Sequence, residues 1–142
     1  MEIRKLTIDY YEEIINLWVK DKLPHKPKGR DSKKAMTKQI QANPQFFLGA
    51  FDKNRLVGTV IISCDTRKGW INRLAVDPDY SRRGIAKTLI AESEKILRKH
   101  GVRIFCALVE GDNKTSRQLF RKRGYVEHGD TIYFSKRDSD EI

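Results

Sequence analysis

The chain reads Val76-Asp77-Pro78-Asp79-Tyr80-Ser81-Arg82-Arg83-Gly84-Ile85-Ala86-Lys87 at the junction between an apolar strand candidate and a strongly periodic helix. Main-chain N–H groups at a helix start point in one direction, and the helix dipole adds partial positive charge there. Arg82, Arg83 and Lys87 place full positive charges beside those groups. The junction therefore predicts an anion-binding site, and a diphosphate fits it.

The common nucleotide-binding motifs do not account for this turn. A P-loop requires a glycine directly before its Lys-Ser/Thr pair, whereas Lys87-Thr88 follows Ala86. The dinucleotide pattern G-x-G-x-x-G is absent, because no other glycine stands near Gly84 at that spacing. The turn must therefore belong to another class of phosphate site.

Length and composition favour one soluble domain that covers residues 1–142. Stretches without charge, such as Leu56 to Cys64, fall far short of the ~20 residues of a membrane-spanning helix, and the first residues lack the apolar region of a signal peptide. A cytoplasmic location is expected. Cys64 and Cys106 have no nearby Cys or His partner in the sequence, which predicts reduced, buried thiols and no metal site.

The net charge of +10 arises from 29 basic and 19 acidic residues. It favours association with anions such as phosphorylated small molecules, acidic peptides or nucleic acid, but it does not choose among them. The basic loop from Lys20 to Arg30 contains two prolines, and loops of this length in compact domains often bind ligands.

Apolar periodicity and turn residues predict an α/β chain with a layered α+β arrangement. Asp9 and Glu12 form a capping-box pattern at the start of the first helix, and Asn43-Pro44 ends the second. A helix between two neighbouring strands implies one parallel, right-handed crossover. The predicted elements after the first strand and the first two helices are strands at Gln45–Phe51, Leu56–Ile62 and Trp70–Val76, a helix at Gly84–His100, a strand at Val102–Val109, a helix at Lys114–Arg123, and a hairpin of Tyr125–His128 with Thr131–Phe134.

Two motifs resemble those of the GNAT superfamily, the acyl-CoA-dependent N-acetyltransferases. The stretch Leu74 to Ala86 is similar to the family's pyrophosphate loop, apolar-Val-x-Pro followed by Gln/Arg-x-x-Gly-x-Gly/Ala, although Ser81 stands where Gln or Arg is usual. Asn113 to Tyr125 resembles the family's Asn-x-x-Ala-x-x-Leu-Tyr-x-x-x-Gly-Phe/Tyr. The element order is similar to the GNAT fold along essentially the whole chain, in its stand-alone, single-domain bacterial or archaeal form. The resemblance implies a mixed, mostly antiparallel central sheet of about six or seven strands flanked by about four helices.

The resemblance also implies acetyl-CoA as the co-substrate and the residues that bind it. The pantetheine arm would pair with main-chain groups of the strand before the turn, the diphosphate would lie on the turn, and Asn113 would reach the arm from the opposite side. The implied cofactor-binding residues are Leu74, Ala75, Val76, Arg82, Arg83, Gly84, Ile85, Ala86, Lys87, Asn113 and Phe120.

Proton transfer departs from the family pattern at Phe120, which stands where many relatives carry the tyrosine that protonates the departing thiolate. A phenyl ring cannot donate a proton, so either water protonates the thiolate or acetyl transfer is weakened or lost. Tyr125 and Tyr133 are alternative acids, although both also suit strand packing. Glu110 is the candidate general base, acting through water, and the alternative is that it is simply an exposed loop residue.

The sequence thus predicts an N-acetyltransferase that moves an acetyl group from acetyl-CoA to a primary amine of a small molecule or peptide. Asp65 and Asn72 are candidates for contact with that acceptor, and His25 lies in a candidate lid. The positive charge favours amines attached to anionic groups over polyamines and aminoglycosides. A CoA-binding regulatory or interaction module is the alternative. Nucleic-acid binding is disfavoured because no motif for it is present. No membrane partner is expected. The sequence leaves open whether the protein forms a homodimer.

Overall fold

The computed structural model describes all residues, 1–142, and contains one five-stranded sheet and four α-helices. None of these helices has the length and apolar character that crossing a membrane would require. The strands are β1 (Glu2–Lys5), β2 (Phe47–Asp52), β3 (Arg55–Cys64), β4 (Gly69–Val76) and β5 (Phe105–Cys106), and the helices are α1 (Tyr11–Lys20), α2 (Lys33–Ala42), α3 (Ile85–Lys99) and α4 (Lys114–Lys122).

Sheet order follows chain order, from β1 at one edge to β5 at the other. The first four strands are antiparallel, and β5 runs parallel to β4 after the crossover through α3. The prediction of a mixed, mostly antiparallel sheet with one crossover is therefore confirmed.

Helix α3 packs closely against the sheet because two strand residues lack a side chain. A Cβ atom at Gly69 would lie 2.6 Å from Leu97, and one at Gly58 would lie 2.9 Å from Ile85. Leu89 and Leu97 of α3 are fully buried in the resulting interface. The contact at Gly58 fixes the start of α3, and with it the predicted anion site, against β3, while the contact at Gly69 fixes the end of α3 against β4.

A bulge interrupts β4 in its middle. Thr59 pairs with Ala75 but Ile61 pairs with Asn72, so β4 carries one extra residue in this interval. Arg73 lies there with a left-handed backbone, φ +54°. The buried Thr59 hydroxyl donates to the Arg73 carbonyl at 3.0 Å and accepts from Trp18 Nε1 at 2.9 Å, so the bulge is held by bonds that reach through the core to α1.

The predicted C-terminal hairpin is wrong, and this is why the sheet has five strands instead of six or seven. Arg117 and Arg121 of α4 bind the Glu127 carboxylate at 2.7 to 3.0 Å. These contacts hold the segment after α4 against that helix, and the residues beyond Gly129 form no ladder.

Two further boundaries differ from the prediction. The strand expected at Val102–Val109 shortens to the two residues of β5, since β4 and β5 diverge after the pair Trp70–Cys106. The capping box is also wrong: Ile8–Tyr10 form a 3₁₀ turn, and α1 follows with no side-chain cap. The Tyr11 N–H donates to the Ile8 carbonyl, so the turn itself satisfies a donor that a cap would have served.

Candidate active site

The turn before α3 exposes a row of free main-chain donors. Arg82 and Gly84 both adopt left-handed backbones, with φ of +62° and +77°. The amides from Arg82 to Lys87 donate to no protein acceptor, and the first helical bond runs from the Thr88 N–H to the Gly84 carbonyl at 3.0 Å. Left-handed residues on either side of Arg83, together with the unpaired amides, form a concave anion-binding site. The structure thus brings together the residues that the sequence assigned to a diphosphate.

A buried carboxylate holds the start of this turn. Asp77 is 2% exposed, and it binds Lys20 Nζ at 2.8 Å, Arg55 Nη2 at 3.0 Å and the Asp79 N–H at 2.9 Å. Burial alone would raise the pKa of Asp77, but the hydrogen bonds and the two cations lower it below its usual value. Asp77 therefore stays ionised and anchors the turn to both α1 and β3.

The three cations of the turn have different surroundings. The Arg83 guanidinium lies over the Tyr80 ring, 4.8 Å from its centroid, and the Tyr80 hydroxyl donates to Asp52 at 2.8 Å. Arg82 and Lys87 are exposed and form no ion pair within the protein. Arg83 is also exposed and pairs with no carboxylate, so all three charges are free to meet an incoming anion.

Beyond Trp70, no strand pairs with the edge of β4 that leads toward the turn. The only β4 residues that pair with β5 are Gly69 and Trp70. The Asp77 N–H donates to the Val57 carbonyl of β3 at 2.9 Å, and because successive strand amides point to opposite edges, the Val76 N–H faces the open side. There it donates to the Asp21 carboxylate at 3.2 Å.

Asp21 is a site residue that the sequence analysis missed. Burial raises the pKa of its carboxyl group, the bond from Val76 acts in the opposite direction, and the charge of Asp77 adds to the increase. It follows α1 directly and begins the proline loop, defined as residues 21–30. No local signal marks it, because its partner lies 55 positions away in the chain.

Arg73 ties the proline loop to the β4 bulge. Its guanidinium donates to the Pro24 carbonyl and, at 2.7 Å, to Asp31 Oδ2. The same Asp31 oxygen accepts from the Lys26 N–H at 2.8 Å, and the guanidinium also lies 4.9 Å from the Trp18 ring centroid. The loop is therefore fixed at both ends against β4, and Arg73 is a second residue that sequence reasoning missed.

A cleft of about 440 Å³ opens beside β4, between the sheet and the C-terminal segment. Asn72, predicted to contact the acceptor, lies in its wall and donates from Nδ2 to the Ser63 hydroxyl at 3.3 Å. The lining residues are Ser63, Trp70, Asn72, Leu108, Thr131, Ile132, Tyr133 and Phe134. Two of the sequence candidates, Asn72 and Tyr133, thus meet in one cavity.

Other sequence candidates lie outside this cleft. Asp65 accepts from the amides of Arg67 and Lys68 at 2.9 and 2.8 Å, bonds that lower its pKa and make it a turn residue. Glu110 is exposed and does not line the cleft. His25 lies in the proline loop near Trp18, with 6.4 Å between ring centroids.

The candidate residues on and around α4 have structural roles in the fold. Asn113 caps α4, accepting from the Ser116 N–H at 3.1 Å. Phe120 is buried and its ring packs edge-on against Tyr125, 5.0 Å between centroids. The Tyr125 hydroxyl donates to Glu94 at 2.6 Å, and burial followed by this bond strongly raises its pKa. Tyr125 is thus bound to α3 by its hydroxyl, which leaves Tyr133 as the tyrosine in the cleft.

Comparisons with known proteins match this chain to one protein family. Residues 11–125 match the model of the Acetyltransferase (GNAT) family. An acetyltransferase of Photorhabdus laumondii is 33% identical over 138 residues, covering 96% of this chain and 95% of its own. A spermidine N(1)-acetyltransferase of Thermoplasma acidophilum is 32% identical over 121 residues, covering 82% of this chain and 70% of its own. The crystal structure of the PaiA N-acetyltransferase of Thermoplasma acidophilum in complex with coenzyme A superposes with a TM-score of 0.75 at 27% identity, covering 86% of this chain and 87% of that one.

Proposed function

Because the chain belongs to the GNAT family of acetyltransferases and uses acetyl-CoA as its co-substrate, we propose that it acetylates the primary amine of a small molecule or peptide held in the cleft beside β4. The observation that carries this proposal is the row of unpaired amides from Arg82 to Lys87. A diphosphate needs several donors converging on one point, and these amides supply them with Arg82 and Lys87 alongside.

The open edge of β4 is proposed to hold the rest of the cofactor. Of the three strand residues assigned to the arm, Leu74 and Val76 direct main-chain groups to the edge that β5 leaves unpaired, whereas Ala75 pairs with Thr59 of β3. An extended arm can add to such an edge as another strand would. Asn113 would contact the arm from α4 while it caps that helix. The thioester would then lie near the cleft that contains Asn72.

The reaction in this arrangement is a direct acyl transfer. The neutral amine attacks the thioester carbonyl carbon, a C–N bond forms, the C–S bond breaks, and the thiolate of CoA leaves. The proton lost by the ammonium passes to water, and Glu110 at the exposed loop after β5 is the proposed base behind that water. Holding both reactants side by side accelerates the reaction, because it replaces a bimolecular encounter.

The departing thiolate is proposed to take its proton from solvent. Phe120 carries no proton to give, and the Tyr125 hydroxyl is bound to Glu94. A thiol has an ordinary pKa of about 8.5, so a thiolate is a tolerable leaving group near neutral pH. Tyr133 in the cleft wall is the tyrosine available as an alternative donor.

Titration calorimetry with acetyl-CoA tests the cofactor site. Gly84→Asp should abolish measurable binding, because it places a carboxylate where the diphosphate must approach. Gly101→Asp is a matched control, since Gly101 also has a left-handed backbone, φ +79° against +77°, and equally open space around a Cβ. Equal binding by wild type and the Gly84 variant would overturn the proposed site.

A CoA-binding module without turnover is the second candidate, favoured by Phe120 at the position of the usual tyrosine. Thiol release measured with acetyl-CoA and a panel of amines separates the two functions. Turnover with any amine supports the transferase, whereas normal acetyl-CoA binding without turnover supports the module.

A further inference from the structure

We infer that the acceptor is a primary amine attached to an aromatic or aliphatic group and carrying no second positive charge. This inference rests on the proposed function, because it takes the cleft beside β4 as the acceptor site. It names the chemical class that the walls of the cleft can recognise.

The walls of the cleft are mostly apolar. Trp70, Tyr133 and Phe134 contribute aromatic rings, and Leu108 and Ile132 contribute aliphatic side chains. Four of these five are largely in water, at 60% for Leu108, 70% for Ile132, 66% for Tyr133 and 87% for Phe134. When an apolar group of a ligand covers exposed apolar side chains around one cavity, the removal of that surface from water favours binding.

The polar groups of the cleft suit a single amine. Asn72 uses its Nδ2 to donate to Ser63, so its carbonyl oxygen Oδ1 remains available to accept an N–H from the acceptor. The third polar residue is Thr131, whose hydroxyl is another acceptor. Together they provide hydrogen-bond acceptors without charge.

The cleft lacks what a polycation needs. None of its lining residues is Asp or Glu, and binding of several ammonium groups requires carboxylates to replace their water. The chain's net charge of +10 adds a repulsion that grows with each positive charge on the acceptor. A polyamine is therefore a poor acceptor for this cleft, and an amine with one charge and an apolar body is a good one.

The size of the cleft is also consistent with this class. Its volume of about 440 Å³ falls in the range of small-molecule sites, roughly 300–1,000 Å³. A free aromatic amine and an N-terminal aromatic residue of a peptide offer the same amine and the same ring, so the experiment needs one probe of each.

Steady-state kinetics with acetyl-CoA and four acceptors test the inference: phenethylamine, isoamylamine, a tripeptide amide with N-terminal phenylalanine, and spermidine. We expect kcat/KM for phenethylamine or the peptide to exceed that for spermidine at least about tenfold. The better of these two identifies the free amine or the peptide as the source. A kcat/KM for spermidine that equals or exceeds the values for phenethylamine, isoamylamine and the peptide would overturn the inference and leave the transferase assignment intact.

Variants of the cleft wall provide the second readout. Trp70→Ala and Phe134→Ala should raise KM for phenethylamine about tenfold and leave KM for acetyl-CoA unchanged. Val126→Ala is the matched control, because Val126 is 74% exposed and lies outside the cleft. An unchanged KM for phenethylamine in both wall variants would refute the assigned site. Acetyl-CoA binding without transfer to any of the four amines would instead refute the proposed function.

Discussion

Replacing Asp31 with asparagine should destabilise the protein strongly, because Asp31 is the only carboxylate that pairs with the guanidinium of Arg73. The side chains of Asp31 and Arg73 are 7% and 17% exposed, and they meet at 2.7 Å. Removing one partner of a buried pair costs about 3–5 kcal/mol, because the other charge is left without compensation. Arg73 keeps the Pro24 carbonyl and the face of Trp18, so we expect the low end of that range, about 3 kcal/mol.

Thermal unfolding followed by circular dichroism measures this effect. For a chain of this size, about 3 kcal/mol corresponds to a decrease in Tm of about 9 °C. Glu12→Gln is the control: Glu12 pairs with Lys33 at 3.9 Å and both side chains are mostly exposed, so its loss should cost less than about 0.5 kcal/mol. A cost below about 1 kcal/mol for Asp31→Asn would show that the proline loop is not held by this pair.

A double-mutant cycle separates the energy of the Asp31–Arg73 ion pair from other effects of the Asp31→Asn substitution. Arg73→Met combined with Asp31→Asn should cost much less than the two single changes added together, since each single change already breaks the same ion pair. Additive costs would contradict the reasoning even if each single variant were destabilised.

Three other groups yield predictions of their own. Asp21→Asn should tighten acetyl-CoA binding by calorimetry, because it removes a negative charge from the Val76 amide that the cofactor arm is proposed to use; weaker binding would contradict this. Phe120→Tyr should raise kcat, by up to the ~10²-fold that a general acid supplies, and add a high-pH limb to the profile of kcat, and an unchanged profile would place residue 120 away from the leaving group. Glu127 has its pKa lowered to about 2 by the hydrogen bonds from two α4 arginines; its stabilising effect should persist above pH 4.5 and disappear as the pH falls toward 2, and an NMR titration midpoint near 4.5 would refute the contact.

The parts of the fold with local signals could be predicted from the sequence. Helix α3 follows from its apolar period and Gly84, and the β2–β3 hairpin follows from two β-rich runs around a polar turn. The anion site belongs to this group, because the turn and the helix start lie within one short stretch of chain. Contacts inside that stretch decide its geometry, so residues 82–87 could be grouped from the sequence as one anion site, and their role in binding the diphosphate stays a prediction.

The remaining features depend on contacts between distant residues. The C-terminal hairpin had the expected β-forming residues, but the ion pairs of Glu127 with α4 hold that segment elsewhere. The left-handed Arg73 is stabilised by Thr59 and Asp31, neither of which is its neighbour in sequence. The cleft forms only where β4 and residues 131–134 approach each other, so no motif could have indicated its walls.

The agreement between chain order and sheet order has a consequence for how the molecule assembles. Strands β2, β3 and β4 form one uninterrupted stretch, residues 47–76, in which each strand pairs with the next. Such a meander has low contact order, so it needs no long loop closure and should form early in refolding. The pairings of β1 and β5 span entire helices and should follow. The cofactor turn comes directly after the meander, so its supporting strand is among the first parts of the chain to become native.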